Sequence, residues 1–152
     1  MNSISQVFAV GDIHGCNSLL KKIHKKILNK SEKVMGNKIL IYLGDYIDRG
    51  SKVKETIDTI INFKPKNIKC VFLRGNHDQM LLDFVNNKRN SLEMWLYNGG
   101  FTTLTSYCGS TIANKFNNRS SREQSIRETL VKSLPSDHLK FFNDLQFSYT
   151  WK

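Results

Sequence analysis

The sequence lacks what would place it in a membrane, a secretory route or a disulfide framework. No apolar run approaches the roughly 20 residues needed to cross a bilayer. The opening MNSISQVFAVGD has neither a basic start nor a long apolar stretch, so it does not read as a secretory signal. Cysteine is confined to Cys16, Cys70 and Cys108, an odd count without metal-type spacing, which reads as reduced thiols of a cytoplasmic protein. Only two prolines occur, Pro65 and Pro135, and no repeat, low-complexity tract or Pro/Gly-rich linker divides the 152 residues, so one domain is expected. Acidic residues are scarce as well: 13 Asp and Glu stand against 23 Lys and Arg, a net charge of +10. That balance suits anionic partners. It does not single out nucleic acid, because the bases are mostly lysines spread along helices, as in LLKKIHKKILNK, with no Arg-rich arm and no aromatic-interleaved RNA-binding motif. A solvated, lysine-biased surface is the simpler reading.

What is present is a regular alternation of strand and helix. The apolar runs QVFAV (6–10), KILIYL (38–43) and IKCVFL (68–73) are short and closed by glycine or a polar turn, so they read as buried strands. Between them, 18–28 places Leu19, Leu20, Ile23, Ile27 and Leu28 at helical spacing, and 53–63 does the same with Val53, Ile57, Ile60 and Ile61. Crossovers of this length predict a parallel α/β sheet. The second half reads as helices over 77–85, 91–96, 101–107, 122–134 and 136–145. The end, QFSYTWK, alternates Phe147, Tyr149 and Trp151 with Ser148 and Thr150, the pattern of a strand beginning at 147–152.

Each expected strand leads into polar residues held by glycine: GDIHG (11–15), GDYIDRG (44–50) and RGNHD (74–78). In an open parallel sheet the carboxyl ends of the strands share one edge, where ligands bind. Three such turns converge there with Asp12, His14, Asp45, Asp48, Arg49, Asn76, His77 and Asp78. Carboxylate, imidazole and amide oxygen are ligands for Mn, Fe or Zn. Singly, each turn is explained as well by a cap, an Asx turn or a surface ion pair. Three together, in order and at matching strand ends, point to a metal site.

Taken as a set, GDIHG, GDYIDRG and RGNHD resemble the signature motifs of the phosphoprotein phosphatases, within the calcineurin-like metallophosphoesterases. The resemblance runs from about Val7 to the chain end. WLYNGGFTTLTSY (95–107) and LPSDHLKFFNDLQFSY (134–149) look like the helical insert of small bacterial serine/threonine phosphatases. It implies an α/β sandwich of mixed sheets flanked by helices. Of that sandwich this chain would carry the N-terminal portion: a metal-site half over 1–88, a helical insert over 89–146 and the start of a strand. It implies two divalent metals about 4 Å apart that clamp a phosphoryl group and activate water. Asp12 and His14 would hold the first metal, Asp45 would bridge both, and Asn76 would bind the second. His77 would be the general acid, Asp48 its partner and Arg49 the phosphate grip. Symmetrical diadenosine tetraphosphatases share the GNHD turn but typically lack the acid at the position of Asp48. Asp78, where the phosphatases more often carry Glu, points the other way.

The family also draws two histidines and a second arginine from later segments, one in a stretch like HAG, that fall beyond Lys152. His24 and His138 match neither and read as ordinary helix histidines. The expectation from these residues is one moderately held metal, with hydrolysis weakened or lost, and an open sheet edge that invites self-association. The expected partner is a phosphorylated protein or small phosphoester, with no membrane role. A non-catalytic phosphate- or nucleic-acid-binding module is the reading from a different class.

Overall fold

The computed structural model describes residues 4–117 and 122–151. Strands β1 (Ile4–Val10), β2 (Asn37–Tyr42) and β3 (Ile68–Phe72) alternate with helices α1 (Asn17–Ser31) and α2 (Val53–Asn62), then give way to α3 (Asn76–Val85), α4 (Ser91–Tyr97), α5 (Phe101–Cys108), α6 (Arg122–Ser133) and α7 (Ser136–Asn143). The sheet is parallel throughout, ordered β1-β2-β3, with Leu40 opposite both Phe8 and Cys70. The expected α/β class holds. Among the described residues this is the one multi-stranded sheet, and its strands are all parallel rather than mixed. None of the helices is long and apolar enough to cross a membrane among the described residues.

The central strand explains why KILIYL reads as a continuous apolar run: it is buried on both faces. Leu40 and Tyr42 enter the large core formed with α1, α2 and the second-half helices, while Ile39 and Ile41 join Val71 in a small cluster on the other face. Tyr149 packs against that second cluster and its hydroxyl accepts from Lys69 Nζ at 3.1 Å. The strand expected at 147–152 does not form. Gln146 makes a single parallel bridge to Leu73, and residues 147–151 pair with no strand (Lys152 lies outside the described residues). Alternation alone does not make a strand: the one bridge beside the edge of β3 is not extended into a ladder. A 3-10 helix over Ser110–Asn117 was not foreseen, because one buried anchor, Ile112, leaves no helical period to detect.

Both off-site histidines are buried. His138 bridges Tyr107 (Nδ1, 2.8 Å) and Asp58 (Nε2, 2.9 Å), tying α7 to α5 and α2. His24 accepts from the Tyr42 hydroxyl at 2.7 Å and stacks on Phe63 at 3.7 Å. Burial lowers its pKa from 6.5 to about 4. A folded state that refuses a proton which the unfolded chain accepts loses stability as pH falls from 6.5 toward 4 and keeps it in full above 6.5. The expected loss is about 2–3 kcal/mol across that window. Urea midpoints measured through it should flatten in His24→Gln, which keeps an acceptor for Tyr42; an acid limb that persists unchanged would assign the loss elsewhere.

Candidate metal centre

The three polar turns meet at the carboxyl edge of the sheet because their main chains are tied together. Ile13 and His14 N–H both donate to the Asp45 carbonyl (3.0 and 2.9 Å), Gly15 N–H to the Tyr46 carbonyl (2.9 Å), and Gly50 N–H to the His14 carbonyl (3.1 Å). The third turn is joined by a carboxylate. Asp78, in the first turn of α3, accepts from Gly75 N–H and Asp45 N–H through Oδ2 (2.9 Å each) and from Tyr46 N–H through Oδ1 (3.1 Å). It is wholly buried. Burial pushes its carboxyl up to about 7, against these three donors that favour the charged form.

Glycine is required where the turns cross. A Cβ on Gly75 would lie 2.1 Å from Asp45 Oδ1, and one on Gly44, already at φ +105°, would lie 2.3 Å from Gly75 N. The backbone is also left-handed at the chemistry-bearing residues: His14, Asp45, Asp48 and Arg49 have φ of 44, 52, 69 and 62°. Non-glycine residues in this region persist only where surrounding bonds over-determine them, a recurrent property of functional sites.

His14, Asp45 and His77 place ligand atoms within 4.8 Å of one another. His14 Nδ1 lies 2.7 Å from the Ile47 carbonyl, to which it donates, which leaves Nε2 as the nitrogen open to a ligand. That Nε2 is buried and has no hydrogen-bond partner among the described residues. An orphaned imidazole nitrogen beside a carboxylate is the donor set that a divalent transition metal takes. Asp12 Oδ2 lies 3.8 Å from the same nitrogen on a largely exposed side chain. Asn76 is the exposed first residue of α3.

His77 stands at the inner edge of this cluster, its ring 4.7 Å from that of His14. Its main-chain N–H donates to Asp45 Oδ1 at 2.9 Å. Its Nδ1 contacts Asp48 Oδ2 at 2.7 Å, and Arg49 Nη2 approaches its Nε2 at 3.3 Å. Asp48 is fully buried. Burial raises its pKa, against hydrogen bonds from Thr103, His77 and Trp95 that favour the carboxylate. Thr103 Oγ1 donates to Oδ1 at 2.6 Å, and Trp95 Nε1 spans both oxygens at 3.1 and 3.0 Å.

All seven sequence-derived candidates thus lie on the three turns, with His14, Asp45 and His77 in one cluster, Asp12 at its rim and Asp48 and Arg49 against His77. Two contributors were missed as individuals. Trp95 and Thr103 lie in WLYNGGFTTLTSY, where both fit a helix face and nothing local marks a polar partner; a tryptophan four residues before a Gly-Gly break was the available signal. Asp78 was noted, but not its task of joining the turns.

Residues 5–149 match the calcineurin-like phosphoesterase family. The chain is 37% identical over 101 residues to serine/threonine-protein phosphatase 1 of Salmonella typhimurium, covering 65% of this chain and 42% of that one. It is 39% identical over 95 residues to serine/threonine-protein phosphatase 2 of the same organism, covering 62% and 38%. It is 34% identical over 79 residues to the asymmetrical bis(5'-nucleosyl)-tetraphosphatase PrpE of Anoxybacillus flavithermus, covering 49% and 32%. The matched stretches span less than half the length of each of these relatives. With the family match covering nearly the whole chain, the protein belongs to the calcineurin-like phosphoesterases.

Proposed function

We propose that this chain carries the metal-binding and proton-transfer groups of a phosphoric monoester hydrolase acting on phosphorylated protein. The observation that carries the reading is the orphaned His14 Nε2 beside Asp45, with the Asp48-backed His77 ring against it. Asp12, His14 and Asp45 would hold one divalent ion (Mn, Fe or Zn), and Asp45 with Asn76 would contribute to a second. Bound there, such ions polarise a phosphoryl group and bring the pKa of water toward neutrality. Asp45 is kept in place by the His77 N–H, and Gly75 leaves room for its carboxylate. His77 Nε2 faces the cluster and is the atom that would pass a proton to the leaving oxygen. Arg49 meets His77 at that nitrogen, so phosphate grip and proton donor address the same point.

The substrate class rests on the two phosphatase relatives and on Asp48, which gives His77 a buried anionic partner. The tetraphosphatase relative supports a nucleotide polyphosphate as the second reading; that relative is named asymmetrical rather than symmetrical. With p-nitrophenyl phosphate, slow hydrolysis should appear with Mn and stop on chelation. Elemental analysis should find about one tightly held metal per chain, since Asp45 and Asn76 alone are a poor transition-metal site. Hydrolysis that survives chelation would overturn the metal-dependent reading, and two tightly held metals would overturn the division of ligands. Faster cleavage of diadenosine tetraphosphate than of a phosphoserine peptide would favour the nucleotide reading. Salt-sensitive nucleic-acid binding without hydrolysis would favour a binding module.

A further inference from the structure

The amino ends of the strands, opposite the metal centre, frame a second concave surface. The loop before β2, the first residues of β2 and β3, and residues 149–151 line a groove of about 890 Å³. Strands of five to seven residues, at about 3.3 Å each, put it on the order of 20 Å from the three turns. Tyr149 and Trp151 form its aromatic side, with rings stacked 6.2 Å apart at 26°. The inner ring is fixed. Lys69 Nζ donates to the Tyr149 hydroxyl at 3.1 Å and lies 4.9 Å from the ring centroid, and the ring packs on the cluster of Ile39, Ile41 and Val71. The outer ring, Trp151, is 46% exposed. The alternation that reads as a strand in the sequence thus builds an aromatic platform.

The groove carries charge of one sign. Lys38 and Lys69 line it, and among the described residues no carboxylate does. Lys33 and Lys66 are exposed and stand next in the chain to the lining residues Val34 and Asn67. In a chain of net charge +10, an uncompensated lysine groove draws an anion. The aromatic pair narrows the class. An inorganic anion gains nothing from a ring face, whereas a nucleotide brings a base that stacks and a phosphate that lysine meets. The lysines come from two loops and two strands, so the charge is spread round the groove, which suits a chain of phosphates better than the single charged end of a free nucleotide. Because these groups belong to three separate stretches, no sequence motif marks them.

We infer that this groove binds single-stranded nucleic acid, with a base stacked on Trp151 and flanking phosphates on Lys38 and Lys69. The inference does not rest on the hydrolase reading, because the groove lies at the opposite edge of the sheet from the metal centre. A labelled oligothymidylate of about twelve nucleotides, titrated with the full chain in EDTA and followed by anisotropy, tests it. Tryptophan emission is a second readout: Trp95 is fully buried, so quenching on binding reports Trp151. The wild type should bind with quenching, and more weakly as salt rises. Trp151→Leu should weaken binding about 5- to 100-fold, the scale of one lost base stack, and abolish the quench. Lys38→Gln with Lys69→Gln should lower the slope of log affinity against log salt by about 1.4, at roughly 0.7 per phosphate contact. This lysine pair carries the test alone if Trp151→Leu alters the fold. Lys22→Gln with Lys25→Gln removes the same charge from exposed positions on α1 and should change the slope far less. Equal losses from the two lysine pairs would mean diffuse attraction and overturn the inference. Equal affinity for the duplex form, whose bases are closed to the platform, would do the same. Displacement by ATP at matched nucleotide concentration would assign the groove to free nucleotides instead, and binding seen only without EDTA would place the strand at the metal centre. A chain that binds as described but hydrolyses nothing counts against the hydrolase reading alone, and one that hydrolyses phosphoserine with Mn but binds no oligonucleotide counts against the groove alone.

Discussion

His77→Asn should reduce cleavage of a phosphoserine peptide by about 10²- to 10⁴-fold while leaving metal uptake intact, the magnitude of a lost general acid. The main chain of residue 77 contributes its own bond to Asp45 Oδ1, which the substitution keeps. The asparagine amide can still donate to Asp48, so the buried carboxylate is not abandoned. What goes is Nε2, the atom facing the His14–Asp45 cluster. The leaving group sharpens the test. A serine alkoxide needs a proton to depart, whereas p-nitrophenolate departs without one, so the loss should be smaller on p-nitrophenyl phosphate. Asp48→Asn should follow the same ranking. The measurement also separates two roles that proximity leaves together, because His77 lies in the same ligand cluster as His14 and Asp45. If His77→Asn loses the metal and both substrates slow equally, His77 is a ligand and the proton donor must be sought elsewhere.

Much of this site is legible in the sequence because its parts are local. GDIHG, GDYIDRG and RGNHD each follow an apolar run, and parallel topology sends all three to one edge. What is not legible is the angle at which they meet. The backbone twists at His14, Asp45, Asp48 and Arg49 carry no residue signature, since none is glycine. The neighbours of Asp48 come from 47 and 55 positions further along the chain, and sequence spacing says nothing about contacts that distant. The terminal stretch fails for a different reason. Phe147, Tyr149 and Trp151 have the right alternation, but two of them are spent on side-chain contacts, Phe147 under the Arg74 guanidinium and Tyr149 against Lys69, rather than on a ladder. Beyond the single Leu73–Gln146 bridge, β3 is therefore one unpaired edge among the described strands, and β1 is the other. Its carboxyl end still delivers GDIHG in register, because the Asp45 carbonyl receives that turn directly.

Asp78→Ala should destabilise the chain by about 3–9 kcal/mol, because three buried N–H groups, on Gly75, Asp45 and Tyr46, lose their acceptors at roughly 1–3 kcal/mol each when buried donors go unpaired. Small domains have only about 5–15 kcal/mol in total, so the variant should unfold at markedly lower urea. Asp78→Asn offers a graded comparison. Its single carbonyl can take the place of Oδ2 and keep the Gly75 and Asp45 bonds, leaving only Tyr46 N–H facing an amide donor. About one third of the alanine loss is therefore expected, on the same per-bond scale. The site should fail before the fold does. With Asp78 gone, Gly75 and Asp45 are no longer drawn together, and Asp45 Oδ1 loses the fixed position from which it accepts the His77 N–H. Amide signals of Asp45, Tyr46 and Gly75 should broaden or shift in Asp78→Asn at urea concentrations where the remaining spectrum is native, and metal should be held more weakly there. An alanine variant within about 1 kcal/mol of wild type would mean that water or main chain replaces the carboxylate, and that the three turns hold their geometry through the His14–Asp45 and Gly15–Tyr46 main-chain bonds alone.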